Sequence, residues 1–242
     1  MTDKPPAVAA QRREIVADDD LMARLATHLT GQLGDAAAAI ALARCLAEDA
    51  LSWRAPEVAA ERIATILAFT FGNRIWPNGN REPGPVNAAL AGVAVHLHAA
   101  TGAPVYAQWE VAEAVGDRMP SDRLVAIYPA RDARAEPLYL STSGVVEALL
   151  RRVRDPAALG VVGIVAFADH AARCVGTARR LGLATAAMPA GYAMPAEYDP
   201  LSGQPWCRSR LAYLLHDLAI RFGERRDLVI AGRSTGAGDG PR

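Results

Sequence analysis

The sequence predicts an α/β protein built on a parallel, doubly wound sheet of about five strands, the common size for sheets. Three observations carry this. Short apolar runs alternate with amphipathic helical stretches from Thr65 onward. The run Val161 to Phe167 is continuously apolar, as in a strand buried on both faces. That run passes through a tight turn into a helical pattern ending at Gly182, which makes a strand–turn–helix unit.

In chain order, Met1 to about Ala17 is rich in Pro, Ala and charge and reads as a disordered tail. Asp18 to Asp20 would cap a helix through Leu21, Leu25 and Leu29, and Asp35 a second one reaching Trp53. With a third, short helix or a lead-in from Ala55 to Ile63, residues 18–63 form a helical extension outside the strand–helix alternation. That extension reads as a helical cap on the sheet; a dimer surface, a protein-partner surface or a substrate lid is its functional alternative. Strands follow at Thr65 to Phe71, Ala103 to Ala107, Leu124 to Tyr128, Val161 to Phe167 and Ala184 to Met188. Between them lie helices from Gly84-Pro85 to Gly102, from Trp109, and through Val145, Leu149 and Val153. Long loops are expected at Pro129 to Pro137 and Pro189 to Pro205. A last helix, Arg208 to Phe222, would bury Leu211, Leu214, Leu215 and Leu218 and stop at Gly223. Leu228 to Ile230 would add an edge strand before a Gly-rich tail over 232–242.

Composition narrows the function classes. The chain of 242 residues is 51% hydrophobic with zero formal net charge, and no basic run points to nucleic acid. No apolar stretch is long enough for a membrane span, and the polar N-terminus lacks a signal-peptide core. The three scattered cysteines suit neither a disulfide framework nor a thiolate metal site, so a cytoplasmic setting is expected. The carboxylates do not cluster as a metal site requires. There is no phosphate loop, no Gly-x-Gly-x-x-Gly and no Gly-x-Ser-x-Gly.

Candidate site residues sit where the predicted strands end, because ligands of open α/β sheets bind there. His170 and Arg173 share one face of a helix start. The imidazole can serve as acid or base and the guanidinium fork suits an anion. Asp169 takes the N-cap position beside them and would orient His170. Gly72 and Asn73, with Arg74, follow the first strand, and Gly72 would let a ligand approach the backbone. Gln108, Trp109, Glu110 and Glu113 lie at the turn and helix start after the second strand, with Glu113 as the catalytic carboxylate; a Glu there also suits the helix dipole. Ser141, Thr142 and Ser143 precede the next helix, as N-caps or as anion ligands. For each of these a structural role, in a cap, turn or ion pair, is the competing account.

The order of these pieces resembles the YdcF-like family, which includes the SanA and ElyC envelope proteins, over roughly Ala64 to Phe222. The resemblance rests on ILAFTFG ending at Gly72, Glu113-Ala114 after PVYA, Thr142 before its helix, and His170-Ala-Ala-Arg173 after an apolar strand. In this chain the turns after the first two strands read Gly72-Asn73-Arg74 and Ala107-Gln108-Trp109, and Ala166 stands where the family carries Thr. The resemblance implies a Rossmann-like domain in a divergent member without the envelope anchor, and S-adenosylmethionine as a ligand to be considered. The function expected is an intracellular enzyme acting on a small anionic or nucleotide-like metabolite by hydrolysis, group transfer or displacement of an anionic leaving group. His170 and Glu113 would be catalytic; Arg173, Thr142, Ser143, Asn73, Gly72, Asp169 and Trp109 would bind. The alternative is a non-catalytic ligand-binding or partner protein that keeps the shell.

Overall fold

A computed structural model describes residues 7–130 and 140–232, with side chains from residue 19 onward. The tail ends at 1–6 and 233–242, and most of the expected loop at Pro129 to Pro137, lie outside these residues. The chain divides into two compact units, residues Met1–Ser52 with Ile220–Arg242, and Trp53–Ala219.

In the smaller unit, α1 (Ala7–Leu33) starts well before the expected cap at Asp18, so Asp18 to Asp20 lie inside a helix. Gly34, at φ +67°, ends the run. Asp35 caps α2 (Ala36–Cys45) by accepting from the Ala38 amide at 3.0 Å, as its position predicts. The helix widens into one π turn at Leu46–Ala50. That turn presents Asp49 and Glu48 to Arg225, whose Nε meets Asp49 Oδ2 at 2.8 Å and whose Nη2 meets Glu48 Oε2 at 2.7 Å. Arg221 donates to the carbonyls of Asp49 and Ser52 at 3.3 and 2.9 Å.

The larger unit opens with β1 (Glu57–Val58) and a 3-10 turn at Ala60–Arg62, where a short helix was expected. Then come β2 (Ile63–Ala68), a small hairpin of β3 (Arg74–Ile75) and β4 (Arg81–Glu82), and α3 (Gly84–Thr101). They are followed by β5 (Val105–Gln108), α4 (Trp109–Val115), β6 (Leu124–Ile127), α5 (Thr142–Leu150), β7 (Val161–Val165) and α6 (Ala171–Arg180). Last are β8 (Met188–Pro189) and α7 (Arg210–Ile230).

Four strands form one parallel sheet in the order β6-β5-β2-β7. The fifth expected strand shrinks to a bridge between Gly163 and Ala187. Beyond it the chain leaves β7, because Met188 and Ala190 donate instead to the carbonyls of Pro56 and Val58. Strand alternation sorts the core into two layers. Ile66 and Ala68 of β2 pack with Leu90, Ala94 and Leu97 of α3 and Val111 of α4. Leu67, on the other face, packs with Val145 and Leu149 of α5 and Cys174 and Val175 of α6. Both faces are thus covered, as parallel sheets require.

Two expectations about α7 fail together. Leu228 to Ile230 are helical, not an edge strand, and the helix runs through Gly223. Leu211 and Leu215 are exposed while Tyr213 and Asp217 are buried. The helix is therefore rotated from the face its leucines suggest, and the reason lies in what Asp217 meets.

Candidate functional site

The strand order reverses at β2. From β2 the chain steps outward through β5 to β6, then returns to β7 on the other side of β2. The loops leaving β2 and β7 part at this point and leave a crevice outside the carboxyl ends of the strands. A small cavity of about 40 Å3 lies there, well short of a typical small-molecule site.

The floor is the segment Phe69 to Gly72. Asn87, fully buried on α3, fixes it with all of its amide capacity. Asn87 Oδ1 accepts from the Phe71 amide at 2.9 Å and from Thr70 Oγ1 at 2.7 Å, and Nδ2 donates to the carbonyls of Gly72 and Pro83 at 2.7 and 2.6 Å. Gln108 adds a bond from the Thr70 amide to its Oε1 at 3.2 Å. Gly72 has φ +69°, and a Cβ there would sit 2.5 Å from Ser202 Oγ. The close approach that a glycine permits is therefore used by the chain's own Ser202.

One wall comes from α5 and α6. Arg173 Nη1 donates to Thr142 Oγ1 at 2.9 Å, and Thr142 Oγ1 lies 3.5 Å from His170 Nε2. His170 is 6% exposed and packs edge-on against the rings of Phe69 and Tyr213. Arg173 also donates through Nε to Asp217 Oδ1 and through Nη2 to Tyr213 OH at 3.4 Å. Tyr213 OH in turn donates to Asp217 Oδ1 at 3.1 Å. Burial pulls the Arg173 guanidinium down, but Tyr213 and Asp217 outweigh it and hold it above its ordinary value. Burial also pushes the Tyr213 hydroxyl far up, so it stays a neutral donor. This network explains the rotation of α7, since Asp217 is fully buried and reaches the Arg173 guanidinium, which neutralises it.

The facing wall is aromatic. Trp206 stacks on His216 with ring centroids 4.6 Å apart and planes at 14°. Burial and then the Arg173 charge lower the His216 pKa.

No family model, curated protein or solved structure matches the chain.

Of the residues singled out in the sequence, the fold brings His170, Arg173, Thr142 and Gly72 to the pocket. Asp169 is turned elsewhere. It sits in a 3-10 turn without capping α6, accepting from Tyr198 OH at 2.9 Å and pairing with Arg210 Nε at 3.0 Å. Ser143 meets Ser141 Oγ at 2.9 Å, and Ser141 caps α5 through the Gly144 amide at 3.1 Å. Trp109 is half-buried outside the pocket lining, and Glu113 is exposed. The neighbouring Glu110 is the buried carboxyl: it is 3% exposed and accepts from Asn73 Nδ2 at 3.3 Å. Among the described residues its Oε2 has no hydrogen-bond partner. Burial raises its pKa to about 7, against the opposing pull of the nearby donors on its own backbone, Asn73 and Thr70. Asn73 thus belongs to this cluster rather than to the pocket.

Asp217, Tyr213 and Asn87 were not among the sequence candidates, and Glu110 stood there only beside Glu113, which was preferred. One signal existed for the first two: Tyr213 and Asp217 are four apart on a helix, so a carboxylate shares its face with a large aromatic.

Proposed function

We propose that this crevice is the active site of an enzyme acting on a small metabolite with an anionic or nucleotide-like group, by hydrolysis, group transfer or displacement of an anionic leaving group. Under this reading the shell is Rossmann-like and the chain a divergent YdcF-like protein. His170 handles the proton. Arg173 meets negative charge, whether carried by the ligand or developed during reaction. The observation that carries the reading is convergence. Thr142 lies 28 and 31 residues before His170 and Arg173, yet the polar atoms of the two segments meet on one pocket wall at the reversal of strand order.

A second reading, a non-catalytic binding protein, is favoured by one feature. The Arg173 charge is already answered by Asp217, so the pocket's fixed charge is close to balanced. The same feature argues against polyanions. S-adenosylmethionine, implied by the family resemblance, fits these residues poorly. Its sulfonium is a cation, the lining includes Arg173 and, among the described residues, no Asp or Glu, and Gly72 is already covered by Ser202.

The test is a thermal-shift series with inorganic phosphate, sulfate, short carboxylates, AMP and S-adenosylmethionine, on wild type and Arg173→Lys. Lysine keeps the charge but loses the fork. An anion at 100 times its Kd adds about 2.7 kcal/mol of stability. That is a rise of roughly 5–10 °C for a chain of this size. The rise should shrink in Arg173→Lys, and S-adenosylmethionine should give none. No shift with any anion would overturn the reading.

A further inference from the structure

Thr142 is placed for more than binding. Its Oγ1 accepts a hydrogen bond from Arg173 Nη1 at 2.9 Å, and with His170 in its Nδ1–H tautomer the Thr142 proton can point at Nε2, 3.5 Å away. A hydroxyl activated on one side by a cation and on the other by a base is the arrangement a nucleophile needs, and such distances are often loose before substrate binds. Thr142 is also the first residue of α5, where the helix dipole favours negative charge on the oxygen.

The other nucleophilic groups of the pocket are committed. Thr70 Oγ1 donates to Asn87 and Tyr213 OH to Asp217. The Cys207 thiol contacts Gln204 Oε1 at 3.4 Å, and burial pushes its pKa up to about 12. Ser141 and Ser143 bond each other beside the pocket.

We infer that Thr142 is the nucleophile of a covalent acyl-transfer mechanism, with His170 as its base and Arg173 stabilising the oxyanion, and that the substrate class is a small carboxylic ester. This rests on the crevice being an active site. An ester is preferred to a phosphate ester because Arg173 and Asp217 nearly balance. A neutral carbonyl that gains a single negative charge suits such a site better than a dianion does. In the first step Oγ1 bonds to the carbonyl carbon while its proton passes to His170 Nε2. The carbon–oxygen bond to the alcohol breaks, and that proton leaves on the departing alcohol. Water then attacks the acyl-threonine, gives its proton to Nε2, and the acid departs as the proton returns to Oγ1. The net reaction consumes one water and needs no other reactant.

The test uses two probes on the full chain, p-nitrophenyl acetate and a fluorophosphonate, with adducts located by peptide mass spectrometry. Wild type should carry the phosphonyl group on Thr142 and release p-nitrophenol. Thr142→Ser keeps a hydroxyl and should still carry the adduct at position 142, at an altered rate. Thr142→Val should lose the adduct, and His170→Gln should label at least tenfold more slowly, each with a melting curve to show that it folds. The label site in unmutated protein decides the matter even if a variant unfolds. A folded wild type without a Thr142 adduct, or with its adduct elsewhere, overturns the inference. If anions still raise the melting temperature in an Arg173-dependent way, the nucleophile alone has failed. If they do not, the active-site reading fails with it.

Discussion

Two buried polar clusters lie near the carboxyl edge of the sheet, and they hold their ionisable groups in opposite ways. Around Arg173 every group has a partner: Asp217 and Thr142 at close range, with Tyr213 bridging. Around Glu110 one carboxyl oxygen accepts from Asn73 and the other has no hydrogen-bond partner among the described residues. The first cluster buries charge and neutralises it by pairing. The second buries a carboxyl and keeps it near neutrality by raising its pKa to about 7. The pair should therefore be sensitive to partner removal and the lone carboxyl to pH.

Removing one member of the pair should give the largest effect. Asp217→Asn keeps the shape but leaves Arg173 without its counter-charge, which costs about 3–5 kcal/mol for a buried pair. Urea denaturation should show it as a lower midpoint at unchanged slope. The double variant Arg173→Met with Asp217→Leu removes both charges together and should recover most of that loss while losing any anion response. If the double variant is no more stable than Asp217→Asn, the network is not held by charge balance.

Glu110 comes next, and its sign is opposite to that of a salt-bridged acid. The folded pKa, about 7, lies above the ordinary 4.5. Below 4.5 both folded and unfolded states hold the proton. Between 4.5 and 7 only the folded state holds it, so stability falls as pH rises through this window and levels off above it. Glu110→Gln removes the titration and keeps an acceptor for Asn73. Melting curves from pH 4.5 to 8.5 should show the variant about equal to wild type at the acid end and about 1–3 kcal/mol more stable at the alkaline end. A constant difference across the range would mean that Glu110 ionises freely in the folded protein.

Legibility in the sequence follows from the range of each interaction. Strands such as Val161–Val165 and caps such as Asp35 were readable because neighbours in sequence decide them. The pocket position of His170 and Arg173 was readable because strand ends bind ligands regardless of side-chain detail. What escaped was long-range polar pairing. Arg173 finds Asp217 44 residues away, and that pairing overrides the leucine pattern of α7. Glu110 and Glu113 both stand at one helix start. Only packing decides that Glu110 points inward, toward an asparagine 37 residues back. The short Met188–Pro189 strand pairs with Glu57–Val58 and not the main sheet, because backbone acceptors there compete with β7, and side-chain pattern does not report that.

A smaller effect separates the two clusters from a third ionic contact, Asp169 with Arg210. Tyr213→Phe removes a donor to buried Asp217 and should cost about 1 kcal/mol. Asp169 pairs instead with a guanidinium that is largely exposed, and such pairs contribute little and weaken with salt. It lies one residue from His170, so sequence adjacency alone would assign it to the site. Its two partners, Tyr198 and Arg210, both lie outside the pocket lining. Asp169→Asn should accordingly leave fluorophosphonate labelling of Thr142 and any anion-induced thermal shift at wild-type values. It should lower stability slightly, and less so at high salt. If labelling falls together with the His170→Gln rate, then Asp169 acts on the imidazole through its backbone turn, and the site extends to the Tyr198 side.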